Sequence, residues 1–80
     1  MAQVALRMFA GAREAAGVGR AEFEGETVGE VIAAAVEQFG SEFERVVGAS
    51  RIWLNGDAAT PELAVQAGDE VAVLPPVSGG

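Results

Sequence analysis

The stretch that decides the fold is Thr27-Val28-Gly29-Glu30-Val31-Ile32-Ala33-Ala34-Ala35-Val36-Glu37-Gln38-Phe39-Gly40. Its apolar residues recur at helical spacing, which predicts an amphipathic helix over residues 28–39 with one buried face. Thr27 and Glu30 have the spacing of a capping box, in which each side chain satisfies the other residue's free amide. Gly40 occupies the position at which a glycine commonly ends a helix. A helix of this kind needs an apolar surface to cover, and the flanking segments supply it.

The segments on both sides of the helix alternate with period two, which is typical of strands with one buried face. Residues 2–9 place Val4, Leu6 and Met8 on the inner face, and residues 20–24 form a second strand antiparallel to the first. Further strands are predicted at 51–55, at 57–60 after the tight turn Asn55-Gly56, and at 70–74. Residues 11–17 and 41–47 predict short helical turns. In the connection 61–67, Leu63 and Val65 are expected to enter the core.

The element order β-β-α-β-(β)-β predicts an α+β fold, because one helix can cover only one face of a sheet of this width. The helix links the second and third strands, so the first and last strands are expected to pair as central neighbours. This is the β-grasp arrangement of ubiquitin, with a mixed sheet of four to five strands. We expect a β-grasp domain over residues 1–74 and an extended C-terminal tail over 75–80.

Composition excludes several classes of function. The 80 residues carry a net charge of −7 and include no cysteine, histidine, lysine or tyrosine. The usual general base, Schiff-base amine and common metal ligands are missing, so we expect neither a metal site nor an enzyme acting by itself. The acidity argues against nucleic-acid binding and favours a protein partner with a basic surface. The sequence shows no membrane-spanning run and no signal-peptide pattern, so a cytoplasmic protein is expected.

The last six residues, Pro75-Pro76-Val77-Ser78-Gly79-Gly80, follow directly after the last predicted strand. Two prolines end ladder pairing and favour an extended path. Six extended residues span roughly 20 Å, and a Gly-Gly end can enter a channel too narrow for any side chain. The tail is therefore expected to present the carboxylate of Gly80 at a distance from the domain.

Taken together, these motifs resemble the MoaD/ThiS-type ubiquitin-like sulfur carriers, most closely the MoaD branch, the small subunit of molybdopterin synthase. The resemblance extends over the whole chain, and its most specific part is the Pro-Pro…Gly-Gly ending. The matching segments are Met8-Phe9-Ala10, Ala12-Arg13-Glu14 with Gly17, Thr27-Val28-Gly29-Glu30, Leu54-Asn55-Gly56, Gly68-Asp69-Glu70-Val71 and Leu74 to Gly80.

The resemblance implies a sulfur carrier without catalytic side chains. An E1-like adenylating enzyme of the MoeB type would activate the carboxylate of Gly80 with ATP, and a sulfur donor protein would convert the acyl-adenylate to a thiocarboxylate. A MoaE-like large catalytic subunit would then use that sulfur to build molybdopterin. Both modifications are transient, and no stably bound cofactor is implied. Residues Pro75, Pro76, Val77, Ser78 and Gly79 would thread the tail into these partners.

The partner interface is expected on the sheet face that the helix leaves open. By alternation Phe9 and Leu74 point to that face, and the resemblance implies apolar contacts there and an ion pair at Arg13. The residues taken alone leave alternatives open, since Phe9 could cap the edge of the core and Arg13 could be an ordinary helix-surface charge. Trp53 either extends the apolar patch or lies against a loop.

Other functions fit the same tail. The chain could carry sulfur for thiazole (thiamine), cysteine or a secondary metabolite, or it could be a ubiquitin-like modifier joined to lysines of targets. It could also be a non-catalytic β-grasp interaction module in which the Gly-Gly is incidental. The pathway, the activating enzyme, the sulfur donor and the oligomeric state are not encoded in any motif.

Overall fold

The structure is a computed structural model that describes residues 2–76, so the predictions placed on Val77, Ser78, Gly79 and Gly80 lie outside the described residues. The main helix has the predicted bounds, and the predicted strands are found to within one or two residues. The elements in chain order are β1 (Ala2–Met8), α1 (Ala10–Ala16), β2 (Arg20–Gly25), α2 (Val28–Phe39), α3 (Ser41–Gly48), β3 (Arg51–Leu54), β4 (Asp57–Ala58) and β5 (Glu70–Leu74).

The five strands form one mixed sheet in the order β2-β1-β5-β3-β4. The first and last strands are central neighbours and run parallel, with Leu6 opposite Val71 and Met8 opposite Val73. The remaining pairs are antiparallel. This topology confirms the predicted β-grasp fold. It also places the end of β5, from which the tail departs, at the middle of the sheet.

The core lies between the sheet and α2, and it contains the inward members of each alternating strand. Val4, Leu6, Val71 and Val73 are fully buried, and Met8 is 2% exposed. The buried face of α2 packs on this layer through residues at the predicted spacing, which are Val28, Val31 and Ala35. The alternation of apolar and polar residues therefore predicted correctly which strand residues face the core.

The two segments predicted as short helical turns are helices of seven and eight residues, α1 and α3. The second of them, α3, has eight residues and buries Phe43 completely. Phe39 links α3 to the core, because its ring makes edge contacts with Phe43 at 5.1 Å and with Phe23 at 5.8 Å between centroids. Such pairs add to the stability gained from burial alone. The tertiary aromatic contact explains why the predicted turn extends to a helix of eight residues.

The predicted capping box at the start of α2 is half correct. The Thr27 hydroxyl accepts a hydrogen bond from the backbone N–H of Glu30 at 3.2 Å, as expected of an N-cap. The carboxylate of Glu30 instead accepts from the N–H of Glu26 at 2.8 Å, one residue before the cap. Thr27 also forms an antiparallel β-bridge with Ala64, through hydrogen bonds that its neighbours Glu26 and Val28 make with the connection before β5.

The prediction that Leu63 enters the core is wrong, because its side chain is 42% exposed. Val65 does enter the core and is 7% exposed. The backbone carbonyls of Pro61 and Leu63 accept hydrogen bonds from the first N–H groups of α2, those of Gly29 and Val28, both at 2.9 Å. This pairing fixes the connection across the helix N-terminus and turns Leu63 outward.

The segments Leu54-Asn55-Gly56 and Gly68-Asp69-Glu70-Val71, which both match the sulfur-carrier family, are hydrogen-bonded to each other at the start of β5. The Asn55 amide donates to the Asp69 carboxylate at 3.1 Å, and the N–H of Glu70 donates to the Asn55 side-chain oxygen at 2.9 Å. Asn55 and Gly56 have φ angles of 51° and 89°, as a tight hairpin turn requires. These residues hold β3 and β5 in register, so their role is structural.

Candidate functional site

The candidate site is the end of the sheet at which the central strand β5 terminates, and we call it the tail end. Leu74 ends β5 and is followed by Pro75, which is half-buried, and Pro76, which is exposed. Phe9 follows β1 directly, and its N–H donates to the carbonyl of Val73 at 3.3 Å. The parallel register, continued by one residue, therefore places Phe9 beside Leu74 on the open face.

Phe9 and Leu74 are two of the large apolar side chains that remain exposed, at 38% and 36%. Their backbone positions explain this exposure. Phe9 is the extended N-cap residue of α1 and lies outside the helix, while Leu74 is in the outward series of β5. Adjacent exposed apolar side chains on a small domain commonly mark a surface that a partner covers.

Phe9 and Arg13 line the same depression, which has a volume of about 430 Å³. Arg13 belongs to α1, and its side chain passes over Gly19 in the connection to β2. A Cβ atom built at Gly19 would lie 3.4 Å from Nε of Arg13, so a larger residue there would crowd the guanidinium. The structure thus brings together two of the residues that the sequence singled out. The lining residues are Arg7, Met8, Phe9, Ala10, Arg13, Gly19, Arg20 and Glu70.

Trp53 lies on the other side of Leu74. It pairs with Ala72 of β5 and Ala58 of β4, whose small side chains leave room for the indole on the open face. Trp53, Leu74, Pro75 and Pro76 line a second depression of about 430 Å³ at the root of the tail. The indole nitrogen is buried and has no hydrogen-bond partner among residues 2–76. Trp53 thus lies beside Leu74 and the root of the tail, and its part in the apolar patch stays a prediction.

The sequence analysis did not single out Arg7 and Arg20, which line the first depression with Phe9. The guanidinium of Arg7 lies 5.3 Å from the centre of the Phe9 ring, within the range of a cation–π contact. The alternation of β1 already placed Arg7 and Phe9 on one face. Arg20 could be associated with them only through the register of β1 and β2, which puts Arg20 directly opposite Arg7.

A further surface that the sequence did not suggest is an apolar groove of about 540 Å³ on the helix side, between α2, α3 and β3. It lies on the opposite face of the domain from the exposed side of the sheet. Residues lining it include Val28, Ile32, Val36, Val47, Ile52 and Pro61. Its single charged lining residue is Glu44.

Hydrogen bonds lower the pKa of the carboxyl groups of Asp69 and Glu42, which lie outside the tail end. The backbone N–H of Gln66 and the amide of Asn55 donate to Asp69 and lower the pKa of its carboxyl group. The hydrogen bond from Arg45 lowers the pKa of Glu42 in the same way. These shifts are opposite to the raised pKa that a carboxylic acid needs to donate a proton at neutral pH.

Within residues 2–76, no group of three or more carboxylates is arranged so that it could hold a metal ion. No helix in this range is both long enough and apolar enough to cross a bilayer.

A β-grasp domain with exposed apolar side chains beside a tail that leaves its central strand defines a class, the ubiquitin-like carrier and modifier proteins. Residues 6–80 match the ThiS family. The crystal structure of SAMP1 from Haloferax volcanii is 33% identical, with a TM-score of 0.87 over 98% of this chain and 99% of that one.

Two further solved structures have the same fold over nearly their whole length. The small archaeal modifier protein 1 (SAMP1) from Methanosarcina acetivorans is 30% identical, with a TM-score of 0.89 over 100% of this chain and 98% of that one. The putative molybdopterin converting factor, subunit 1, from Pyrococcus furiosus is 27% identical, with a TM-score of 0.84 over 96% and 100%. The chain belongs to the ThiS family of ubiquitin-like sulfur carriers.

Proposed function

We propose that this protein carries sulfur as a thiocarboxylate on Gly80 and donates it as the small subunit of a molybdopterin synthase. The observation that carries the proposal is the geometry of the tail end, where Pro75 and Pro76 leave the central strand beside exposed Phe9 and Leu74. A partner that covers these side chains receives the tail in a fixed direction. Gly79 and Gly80 have no side chain to obstruct a narrow channel.

The proposed chemistry requires nothing of the chain except its carboxylate. An oxygen of the Gly80 carboxylate attacks the α-phosphate of ATP in an E1-like enzyme, and pyrophosphate leaves. The outer sulfur of a persulfide on the donor protein then attacks the acyl carbon and AMP leaves. A second thiol cleaves the resulting acyl disulfide, which releases the thiocarboxylate and leaves a disulfide on the donor side. After sulfur transfer in a MoaE-like large subunit, water hydrolyses the acyl group and the carboxylate is restored. The chain is therefore not an enzyme by itself, and the adenylate and thiocarboxylate are its transient modifications.

The partners are proposed to share one docking surface. The activating enzyme and the large subunit both need access to the tail, and each can cover Phe9, Leu74 and Arg13 only when the other has left. Trp53 would lie at the margin of the same interface, beside the tail root. The Pyrococcus furiosus likeness supports the molybdopterin branch, since that protein is described as a converting factor subunit.

The intact mass of the untagged protein, purified from its own host, tests the sulfur-carrier proposal. Sulfur in place of one terminal oxygen adds about 16 mass units, the same as oxidation of one methionine, so alkylation must confirm the thiocarboxylate. We expect an alkylatable species that disappears when Gly80 is deleted. Adding the large subunit and the molybdopterin precursor to the thiocarboxylated protein should then yield molybdopterin. An unshifted mass after incubation with ATP, the activating enzyme and a sulfur source contradicts the proposal.

Attachment to target proteins is a second candidate function, because the structures at 33% and 30% identity are both of small archaeal modifier protein 1. In this case a target lysine would attack the same activated Gly80. The chain has no lysine, so it could not form chains on itself through a side chain. Peptides that carry the C-terminal residues of this protein in isopeptide linkage to other proteins would support this function. If no such peptides are found while the thiocarboxylate is present, the result contradicts attachment to targets and supports sulfur transfer as the function.

A further inference from the structure

The positive charges of this acidic protein are concentrated where the tail leaves the sheet. Arg7 is near the end of β1, Arg20 begins β2, and Arg51 begins β3 opposite Leu74. Arg13 lies over the first depression from α1. Four of the five arginines are thus at the tail end, and the fifth, Arg45, is on α3 beside Glu42.

Three of these arginines share one depression, and we call Arg7, Arg13 and Arg20 the arginine corner. Arg7 and Arg20 are directly opposite each other in the antiparallel register of β1 and β2. Like charges in this position repel and destabilise a strand pair. The free protein therefore contains an unfavourable pair at an exposed site, although a neutral residue at either position would fit the strand pattern equally well.

Neighbouring carboxylates compensate only partly for this repulsion. Arg7 lies 3.9 Å from Glu70, and Arg20 lies 3.7 Å from Glu22. All four side chains are between 47% and 60% exposed, so water and salt weaken both ion pairs. The depression itself is lined by three arginines and one glutamate, which leaves it positive within a protein of net charge −7.

We propose that the arginine corner binds an acidic segment of the partner protein that takes up the tail. Carboxylates of such a segment would lie between Arg7 and Arg20, remove their repulsion and form paired hydrogen bonds with the guanidinium groups. The inference rests on the proposed function for the docking of a partner at the tail end. It adds the chemistry of that partner, an acidic surface beside the tail channel in place of the basic surface that the net charge of −7 favours. Its recognition is assigned to Arg7 and Arg20 as well as Arg13.

The charge distribution also orients the encounter. The rest of the protein surface is acidic and repels an acidic partner, so the two proteins attract each other only when the arginine corner faces the partner. In this orientation Phe9, Leu74 and the tail also face the partner. The corner is therefore expected to strengthen docking of the partner and to have little effect on the chemistry at the tail.

The test compares the double variant Arg7→Gln/Arg20→Gln with Arg45→Gln in adenylation by the activating enzyme of the same host. Arg45 is a matched control, because it is an exposed arginine paired with one glutamate but lies on α3. At low ionic strength we expect the KM for the double variant to rise by about tenfold, with kcat within about twofold. The KM of the control should stay within about twofold of wild type. Added salt should raise the KM of the wild type more than that of the double variant.

Equal KM values for the double variant and the wild type overturn the proposal, while activation of both proteins leaves the sulfur-carrier function intact. No activation of the wild type instead contradicts the proposed function. Thermal unfolding of the free proteins provides a second measurement. We expect Arg20→Gln to unfold at or above the wild-type temperature, because it removes a repulsion. If inorganic phosphate or AMP raises the unfolding temperature of the wild type but not of the double variant, the corner is a phosphate site and the proposal is wrong.

Discussion

Replacing Phe9 by alanine should weaken docking of the partner much more than it changes catalysis. A phenylalanine side chain buries about 200 Å² when fully covered, and 38% of Phe9 is still exposed in the free protein. Covering this remainder of about 75 Å² at about 25 cal/mol per Å² contributes about 1.9 kcal/mol to binding. This free energy corresponds to a rise of about twentyfold in the KM for the carrier. The kcat should be nearly unchanged, because the tail is intact.

The assay is adenylation of the carrier by its activating enzyme, followed as pyrophosphate release over a range of carrier concentrations. Leu63→Ala is the matched control, since Leu63 is 42% exposed but lies in the connection beside the N-terminus of α2. Phe9 is also partly covered in the free protein, so circular dichroism must show that each variant is folded at the assay temperature. A rise of the same size for Leu63→Ala would refute the reasoning, as would a Phe9→Ala KM within twofold of wild type.

Two further predictions concern the fold that carries this surface. A Cβ atom at Gly25 would lie 3.1 Å from the backbone nitrogen of Val31, so Gly25→Ala should lower the free energy of unfolding by about 1 to 3 kcal/mol in urea titrations. Gly48→Ala is its control, because a Cβ there meets nothing within 4 Å and a helical alanine should add about 0.5 kcal/mol. The lowered pKa of Asp69 means that the unfolded chain binds more protons in acid, so this stabilisation is present above the usual pKa of 3.8 and is lost as the pH falls through the lowered value. Urea midpoints measured down through this range should therefore fall less steeply for Asp69→Asn than for wild type, and parallel curves would contradict the assignment.

The motifs of the sequence divide into two groups by what they do in the structure. Asn55-Gly56 and Gly68-Asp69 hold β3 to β5 at the end of the sheet remote from the tail. Thr27 caps α2. Phe9, Arg13 and the Pro-Pro stop lie together at the tail end. The segments that resemble the sulfur-carrier family therefore include residues that stabilise the domain and residues that are expected to contact a partner.

The main helix and the strand faces could be predicted from the sequence because their signals are local. Apolar spacing over Val28–Phe39 and strict alternation in β1 and β5 specify which side chains face the core, whatever the rest of the chain does. Because the single long helix links the second and third strands, only a few strand orders are compatible with one sheet. The composition likewise excluded histidine, cysteine and lysine chemistry without reference to any structure.

The features that sequence reasoning got wrong or missed depend on contacts between distant segments. Leu63 turns outward because the connection before β5 pairs across the N-terminus of α2, and at the same terminus Glu30 bonds to Glu26. Helix α3 depends on the burial of Phe43 against Phe39.

The sequence by itself determined the β-grasp class, the inward faces of its strands and a Gly-Gly tail after the last strand, since spacing and composition are properties of short segments. Only the tertiary structure decided which surface residues act together. The β1–β2 register brought Arg7 against Arg20, and α1 carried Arg13 to the same depression beside Phe9. Strand register is set by the packing of the whole sheet, and a shift of β2 by one residue would move Arg20 to the opposite face.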